Sequence, residues 1–367
     1  MTRRQLSIVH SESSEGWGGQ EHRVLAELKG FQGRGHVMAL CAPGHAEVVE
    51  RAQRAGVQVK GMGFSRLRFP FAAVAAARWL WQERVQVLNT HSSRDGWVMG
   101  VAGRLARVPL LIRSRHFDVP FANKSVSRFA YSGLADHIIT TSKATVRRLI
   151  SDLKISEDRI TVLPTGIEVE RFTLKGKLAD RPRSAPEGMP LIGIIGVIRQ
   201  AKGHLVLLEA ARQLKQEGFA AHYWFVGDGP SLPLIERAVG ELGLGEQVTF
   251  AGFREDIPDI MRRLDLLAIP SLHECVPQVG LQALATKTPV VGSNVGGIPE
   301  IIRPGESGRL VPPANPTALA AAIREVFAHP NATKDMIEKG RQRVVKNHSL
   351  SGMLDRLDEL YLRCIKF

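Results

Sequence analysis

Apolar positions along this chain follow two periods. Short runs of Val, Ile, Leu and Ala at Leu6–His10, His36–Ala42, Val57–Gly61, Val85–Thr90, Leu110–Arg113, His137–Thr140 and Ile160–Leu163 are of the kind buried on both faces of a parallel sheet. Between them, Gln20–Phe31, Ala46–Ala55, Phe71–Arg84, Gly96–Ala106 and Lys143–Ser151 repeat their apolar residues at helical spacing. The alternation stops at Phe172–Pro190, a stretch rich in Pro, Gly and charge that reads as a linker. It restarts with strands Leu191–Val197, His222–Val226, Val248–Ala251, Leu264–Ile269, Pro289–Gly292 and Gly308–Val311, separated by helices such as Gly203–Glu217, Leu232–Leu242 and Gln278–Ala285. Helices at Pro316–Phe327, Lys334–Lys346 and Leu350–Ile365 close the chain. The pattern predicts an α/β protein with doubly wound domains at 1–172 and 191–347, a linker at 173–190 and a C-terminal helix within 348–367.

Composition adds limits. The 367 residues are 44% hydrophobic and 23% charged, which suits globular domains and excludes wholesale disorder. No apolar run reaches the roughly 18 residues of a transmembrane helix. Met1–His10 lacks the apolar core of a secretory signal, and Cys41, Cys275 and Cys364 are too scattered for a disulfide framework or a Cys-rich zinc module. Together these predict a cytoplasmic protein.

Charge changes the picture further. Residues 1–180 hold 27 Lys and Arg against 16 Asp and Glu, a net +11, while the remainder holds 22 against 20, a net +2. A field this lopsided favours an anionic partner of the first domain: nucleic acid, a phosphorylated substrate or an acidic membrane surface. Nucleic acid is disfavoured by the lack of zinc spacing, an RNP motif or a recognition-helix pattern. Arg66, Arg68 and Phe69, in the segment Phe64–Phe71 ahead of an Ala- and Trp-rich helix, mix cations with aromatics as membrane-facing segments do. A loop followed by an ordinary crossover helix accounts for the same residues.

The candidate chemistry gathers at the carboxyl ends of the predicted strands. Glycines Gly16, Gly18 and Gly19 follow the first strand and precede a helix, a place where backbone amides can approach an anion. The spacing is not the dinucleotide fingerprint. In the second domain, Arg199 and Lys202 follow one strand, Gly227-Asp228-Gly229-Pro230 the next, and Phe253 and Arg254 the third. Ser271 through Gln278 and Ser293 through Glu300 follow two more. Two cations at a strand end can clamp a diphosphate and offset charge developing on it.

These motifs together resemble the retaining glycosyltransferases of the GT-B-fold group 1 class, family 4. The resemblance rests on Arg199-x-x-Lys202-Gly203, Val226-Gly227-Asp228-Gly229-Pro230, Glu274 with Gln282 eight residues on, and Pro289-Val290-Val291 followed by Gly296-Gly297-x-Pro299-Glu300. Gly18-Gly19-Gln20-Glu21 and Leu163-Pro164-Thr165-Gly166 also fit, so essentially the whole chain is covered. The resemblance implies two Rossmann-like domains facing a central cleft, with the C-terminal helix returning to the first. It implies a nucleotide-sugar donor held by the second domain and a glycan or lipid-linked acceptor held by the first. Arg199 and Lys202 then match the diphosphate-binding pair, Glu274 the carboxylate on the donor sugar, and His116 a histidine near that sugar. Gly18, Gly19, Gly227, Phe253, Arg254, Gln278, Val279 and Gln282 fall at donor-binding positions. His91 and Arg115 are weaker candidates for the acceptor. No cofactor is implied, and the lack of an Asp-x-Asp motif predicts a metal-independent reaction. Two departures stand out: Gln282 replaces the usual second Glu, losing a charge-assisted bond to ribose, and Thr165 replaces an Asn, with no chemical reading. The resemblance also admits a related sugar phosphorylase or epimerase, or a non-catalytic binding protein.

Overall fold

The structure, a computed structural model, describes residues 4–65, 69–117 and 120–365. It divides into two units, Met1–Gly166 with Leu350–Phe367, and Ile167–Ser349.

Unit 1 alternates strand and helix: β1 (Ser7–Ser11), α1 (Gly19–Gly33), β2 (Val37–Ala42), α2 (Glu47–Arg54), β3 (Gln58–Gly61), α3 (Phe69–Gln82), β4 (Val87–Thr90), α4 (Ser93–Leu105), β5 (Leu110–Arg115), α5 (Lys124–Ser132), β6 (His137–Thr140), α6 (Lys143–Leu153) and β7 (Ile160–Val162). All seven strands are parallel in the order β3-β2-β1-β4-β5-β6-β7, with Ile8 opposite Met38 on one side and Val87 on the other. The strand order reverses between β1 and β4, so the connections leave in opposite directions there and open a crevice at the strand ends.

Unit 2 repeats the plan with β8 (Leu191–Ile195), α7 (His204–Gln216), β9 (His222–Val226), α8 (Leu232–Glu241), β10 (Val248–Phe250), α9 (Ile257–Arg263), β11 (Leu266–Ile269), α10 (Gln278–Ala285), β12 (Val290–Ser293), α11 (Ile298–Ile301), β13 (Arg309–Val311), α12 (Pro316–Ala328) and α13 (Pro330–Asn347). Its six parallel strands run β10-β9-β8-β11-β12-β13, with the reversal between β8 and β11. The last helix, α14 (Leu350–Cys364), belongs to unit 1, where Met353, Leu354, Leu357, Leu360 and Tyr361 are buried against Leu28, Phe31 and Leu40.

Three features differ from the sequence expectation. The chain passes from unit 1 to unit 2 at Gly166–Ile167, not at 172, and residues 173–190 are packed rather than free. Phe172, Ala179 and Ala185 are buried with Ile260, Met261 and Leu264, while Arg262 and Arg263 donate to the carbonyls of Lys177 and Ala179. Pro, Gly and charge hid three apolar anchors spaced too widely to show a period. Helices α5 and α9 also escaped notice. In α5 only Ala130 and Tyr131 are buried, and the helix starts because the Asn123 side chain accepts from the Val126 amide at 3.0 Å. Helix α9 has seven residues, too few for periodicity to register. Among the described residues no helix is long and apolar enough to cross a membrane.

Because α14 closes the unit 1 core, Leu357→Ala is expected to lower stability by about 2–5 kcal/mol, the usual range for truncating a fully buried Leu. Denaturant unfolding monitored by fluorescence measures it, and a shift below about 1 kcal/mol would show that α14 is peripheral to that core.

Candidate active site

In unit 2 the polar groups collect at the ends of β8 and β11, where the strand order reverses. After β8 the chain forms a single 3-10 turn at Gln200–Lys202 and then adopts left-handed geometry at Gly203 (φ 72°). A Cβ at Gly203 would lie 1.9 Å from the Pro270 carbonyl oxygen, so the loops after β8 and β11 meet backbone to backbone. That approach places Lys202 Nζ in an ion pair with Glu274 Oε2. The carboxylate is oriented further by Ser271 Oγ, which donates to Oε2 at 3.3 Å, and by the Cys275 amide, which donates to Oε1 at 3.2 Å. Gly296 presses on the same turn: its φ is 55°, and a Cβ there would sit 1.7 Å from the Glu274 carbonyl oxygen. Lys202, Ser271, Glu274 and Val279 line one small pocket with Gly196 and His204.

The other predicted donor-side residues of unit 2 lie outside the lining of this pocket, after β8, β9 and β10 and on α10. Arg199 is exposed and makes no ion pair among the described residues. Gln278 and Val279 open α10, whose N-cap, Pro277, makes no side-chain cap hydrogen bond. Gln282 lies one turn on, on the same helix face as Gln278. Gly227 bridges to Gly252, its amide donating to the Gly252 carbonyl at 2.8 Å, which ties the loops after β9 and β10 together. Phe253 is exposed beside that bridge. Arg254 is held by Asp256 through Nε–Oδ1 at 2.8 Å and Nη2–Oδ2 at 2.5 Å, so its guanidinium has a carboxylate partner already.

In unit 1 the crevice between β1 and β4 holds a buried polar cluster. His10 is the penultimate residue of β1, His91 follows β4 and His116 follows β5. Their rings stack in a row: His10 Nδ1 lies 2.9 Å from His91 Nε2, and His91 Nδ1 lies 2.8 Å from His116 Nε2. Burial drives all three toward the neutral form, lowering His10 to about 4 and His91 and His116 well below the usual histidine range. Burial pushes the nearby carboxyls of Glu12 and Asp95 upward. Glu12 accepts from Ser92 Oγ, Gln20 Nε2 and the Ser14 amide. Asp95 accepts from Ser11 Oγ at 2.8 Å and from the amides of His91 and Ser92 at 3.0 Å. Behind His10, Glu27 pairs with Arg23 at 2.7 Å, and Arg23 also donates to Thr165 Oγ1 at 3.2 Å, which gives that residue its role.

Several expectations for unit 1 change. Both ring nitrogens of His91 are used within the histidine row, so it stands behind His116 instead of reaching an acceptor. Arg115 lies 4.2 Å over the Phe121 ring and donates to Tyr131 Oη at 3.0 Å, which makes it part of a packed aromatic shelf. The Gly18 amide donates to Glu21 Oε2 at 2.8 Å, so this amide is used within its own loop; Gly19 is the first residue of α1. Phe69 is half-buried against Ala73 and Ala76, and the exposed apolar residues of α3 are Phe71, Val74 and Trp81. Arg66 and Arg68 lie outside the described residues. Sequence reasoning missed His10, Glu12, Arg23, Glu27 and Asp95. The available signal was α1 itself, which buries Gln20, Glu21, Arg23 and Glu27 on the same face as Val24, Leu28 and Phe31. Donor atoms of His10, Glu27 and His91 all lie within 4.8 Å of one another and form a set able to ligate a cation.

Two doubly wound units, each with its polar groups at the point of strand reversal, define the GT-B class of fold. Residues 17–171 match the family described as Glycosyltransferase Family 4, and residues 177–343 match Glycosyl transferases group 1. The chain belongs to this family, the group 1 glycosyltransferases of family 4. It is 30% identical over 183 residues to an alpha-D-kanosaminyltransferase of Streptomyces kanamyceticus, covering 49% of this chain and 47% of the relative, so it spans about half that relative's length. It is 24% identical over 298 residues to the Escherichia coli UDP-Gal:alpha-D-GlcNAc-diphosphoundecaprenol alpha-1,3-galactosyltransferase, covering 77% and 76%. Its fold matches Anabaena HepE, solved in complex with UDP, at a TM-score of 0.84 and 19% identity over 97% of this chain and 99% of that one.

The buried histidines set an acid limit on stability. Besides the three in the row, burial also holds His137, His204 and His222 near 4. A native pKa below the unfolded value means that the unfolded chain takes up protons first, so stability is full above about pH 6.5 and falls as pH drops toward 4. The raised carboxyls of Glu12 and Asp95 oppose this trend, but the six histidines outnumber them, so melting temperature should decline from pH 7 to pH 5, and calorimetry in buffers of different ionisation heat should show net proton uptake on unfolding. A melting temperature that holds or rises toward pH 5 would contradict neutral buried histidines.

Proposed function

We propose that this chain is a retaining, metal-independent glycosyltransferase. It moves a sugar from a nucleoside-diphosphate donor, held by unit 2, to a glycan or lipid-linked acceptor, held by unit 1, in cell-surface glycan synthesis. The observation that carries the reading is the Lys202–Glu274 pair, locked at the reversal of the unit 2 sheet beside the opening turn of α10. Family membership supports it, and so do the UDP bound by Anabaena HepE and the diphosphoundecaprenol in the name of the Escherichia coli relative.

The chemistry follows from charge. The bond between the anomeric carbon and the diphosphate oxygen breaks, leaving positive charge on the sugar and negative charge on the phosphate. Lys202, Arg199 and the amides opening α10 stabilise the phosphate. Lys202 has three donor protons, so it can serve the phosphate and Glu274 together. Glu274 accepts hydrogen bonds from donor-sugar hydroxyls and fixes the ring. The acceptor hydroxyl oxygen bonds the anomeric carbon on the face the phosphate leaves, and its proton passes to the departing phosphate oxygen, so the configuration is kept. Gln282 accepts a single bond from ribose through its carbonyl oxygen.

Incubation with a panel of nucleotide sugars should release nucleoside diphosphate slowly from one of them, unaffected by a chelator. Lys202→Ala should lower that rate by about 10²–10³, the usual cost of removing one charge-stabilising donor, with the melting temperature unchanged. Full activity in Lys202→Ala would remove the diphosphate assignment, and donor-independent phosphate consumption would point to a phosphorylase.

The acceptor side has its own test. Helix α3 exposes Phe71, Val74 and Trp81, with Arg78 on the same outer face, in the part of the chain that carries the +11 surplus. Such a face suits peripheral binding to an anionic membrane. The protein should float with vesicles containing anionic lipid, should not float with neutral ones, and should lose binding in Phe71→Ser/Trp81→Ser. Equal flotation with both vesicle types would reject this role for the charge.

A further inference from the structure

The row of histidines in unit 1 has a direction, and that direction fixes what His116 can do. At the far end, Ser114 Oγ donates to Asn89 Oδ1 at 2.8 Å, leaving the Asn89 amide nitrogen to donate to Tyr361 Oη at 3.3 Å. The Tyr361 hydroxyl proton is then free to point at His10 Nε2, 3.5 Å away. A bare Nε2 requires the hydrogen of a neutral His10 to sit on Nδ1. A second, independent observation demands the same. Glu27 Oε2 is buried without a hydrogen-bond partner and lies 3.6 Å from His10 Nδ1, where a nitrogen lone pair facing the carboxylate would be repelled and an N–H attracted.

From that point each ring sets the next. His10 Nδ1–H donates to His91 Nε2, so His91 carries its hydrogen on Nδ1 and donates to His116 Nε2. His116 is left with Nδ1–H, and that atom has no partner among the described residues.

We propose that Tyr361, His10 and His91 are positioning residues that hold His116 as the Nδ1–H tautomer, so that His116 meets substrate as a hydrogen-bond donor to an oxygen and never as a base. The role as donor to substrate rests on the glycosyltransferase reading; the tautomer does not. No proton moves along the row during turnover. Its work is done by removing the wrong tautomer before substrate arrives. The reach is long in sequence: Tyr361 on the last helix governs a ring 245 positions earlier in the chain, through two buried imidazoles.

Nitrogen-15 imidazole spectra of the full-length protein test this directly. With each histidine assigned by through-bond correlation in the unsubstituted protein, His10, His91 and His116 should all show the hydrogen on Nδ1 and a bare Nε2 at neutral pH. A bare Nδ1 on His116 would overturn the proposal. So would a stoichiometric divalent metal in the purified protein, because the lone pairs of His10 Nδ1 and His91 Nε2 would then face the ion with Glu27. Tyr361→Phe removes one hydroxyl and keeps the ring. It should lower kcat/KM about fivefold, as losing one neutral hydrogen bond's worth of alignment does. His91→Leu cuts the row and should release His116 into a mixture of tautomers; an unchanged His116 spectrum in that variant would also overturn the proposal. Because the spectra need no turnover, they stand even if the donor panel shows no activity.

Discussion

A parallel sheet buries its strands on both faces, so polar side chains survive only at strand ends, and the reversal of strand order decides which ends are open. Everything chemical in this protein follows from that constraint. In unit 1 the reversal lies between β1 and β4, which puts His10 and Glu12 beside His91 and Ser92. In unit 2 it lies between β8 and β11, which puts Lys202 beside Glu274. The two crevices use opposite electrostatic solutions. Unit 2 keeps an ion pair whose side chains are still partly wet, with 20% and 13% exposure. Unit 1 dries its cluster until the imidazoles go neutral and the acids are pushed toward protonation.

That drying has a structural price which α1 and α14 share. Helix α1 buries Arg23 and Glu27 as a pair, so neither charge is left alone, and Arg23 Nη1 also donates to the Leu163 carbonyl and to Thr165 Oγ1. Helix α14 covers the same region with Leu357 and Tyr361, and the Tyr361 hydroxyl keeps Asn89 and His10 hydrogen-bonded where water would otherwise be needed. The return of the last helix to the first unit is therefore part of the chemistry of the crevice as well as of its core.

The fold was largely legible because both periods are clean: the runs around Ile8, Leu40 and Val87 are apolar on both faces, and α10 was placed residue for residue. The linker was misread because its three anchors follow no period. In unit 2 the sequence pointed to Arg199, Lys202 and Glu274 because they sit in short loops with a recognisable pattern, and of these the structure pairs Lys202 with Glu274. The unit 1 site was only half legible. His91 and His116 follow strands and stood out, whereas His10 ends an apolar run and Glu27 lies mid-helix, where local sequence cannot say that the chain will dry them. A carboxylate whose partner is four residues away looks like a surface helix pair, and only burial distinguishes the two.

The basic surplus of the first half can now be placed by exclusion. Around the histidine row Arg23 is matched by Glu27, the imidazoles are neutral, and Arg113 and Arg115, which lie over Tyr131 and Phe121, equal in number the carboxyls of Glu12 and Asp95. A crevice with two carboxyls and neutral imidazoles attracts an anion poorly, so the +11 does little for chemistry inside it. The surplus is carried by exposed cations such as Arg78, Arg84, Arg107 and Arg128, where screening limits each charge to short range. On the proposed reading, charge therefore works at two scales: Lys202 and Arg199 of unit 2 serve a single diphosphate, and the diffuse field on unit 1 suits an anionic surface.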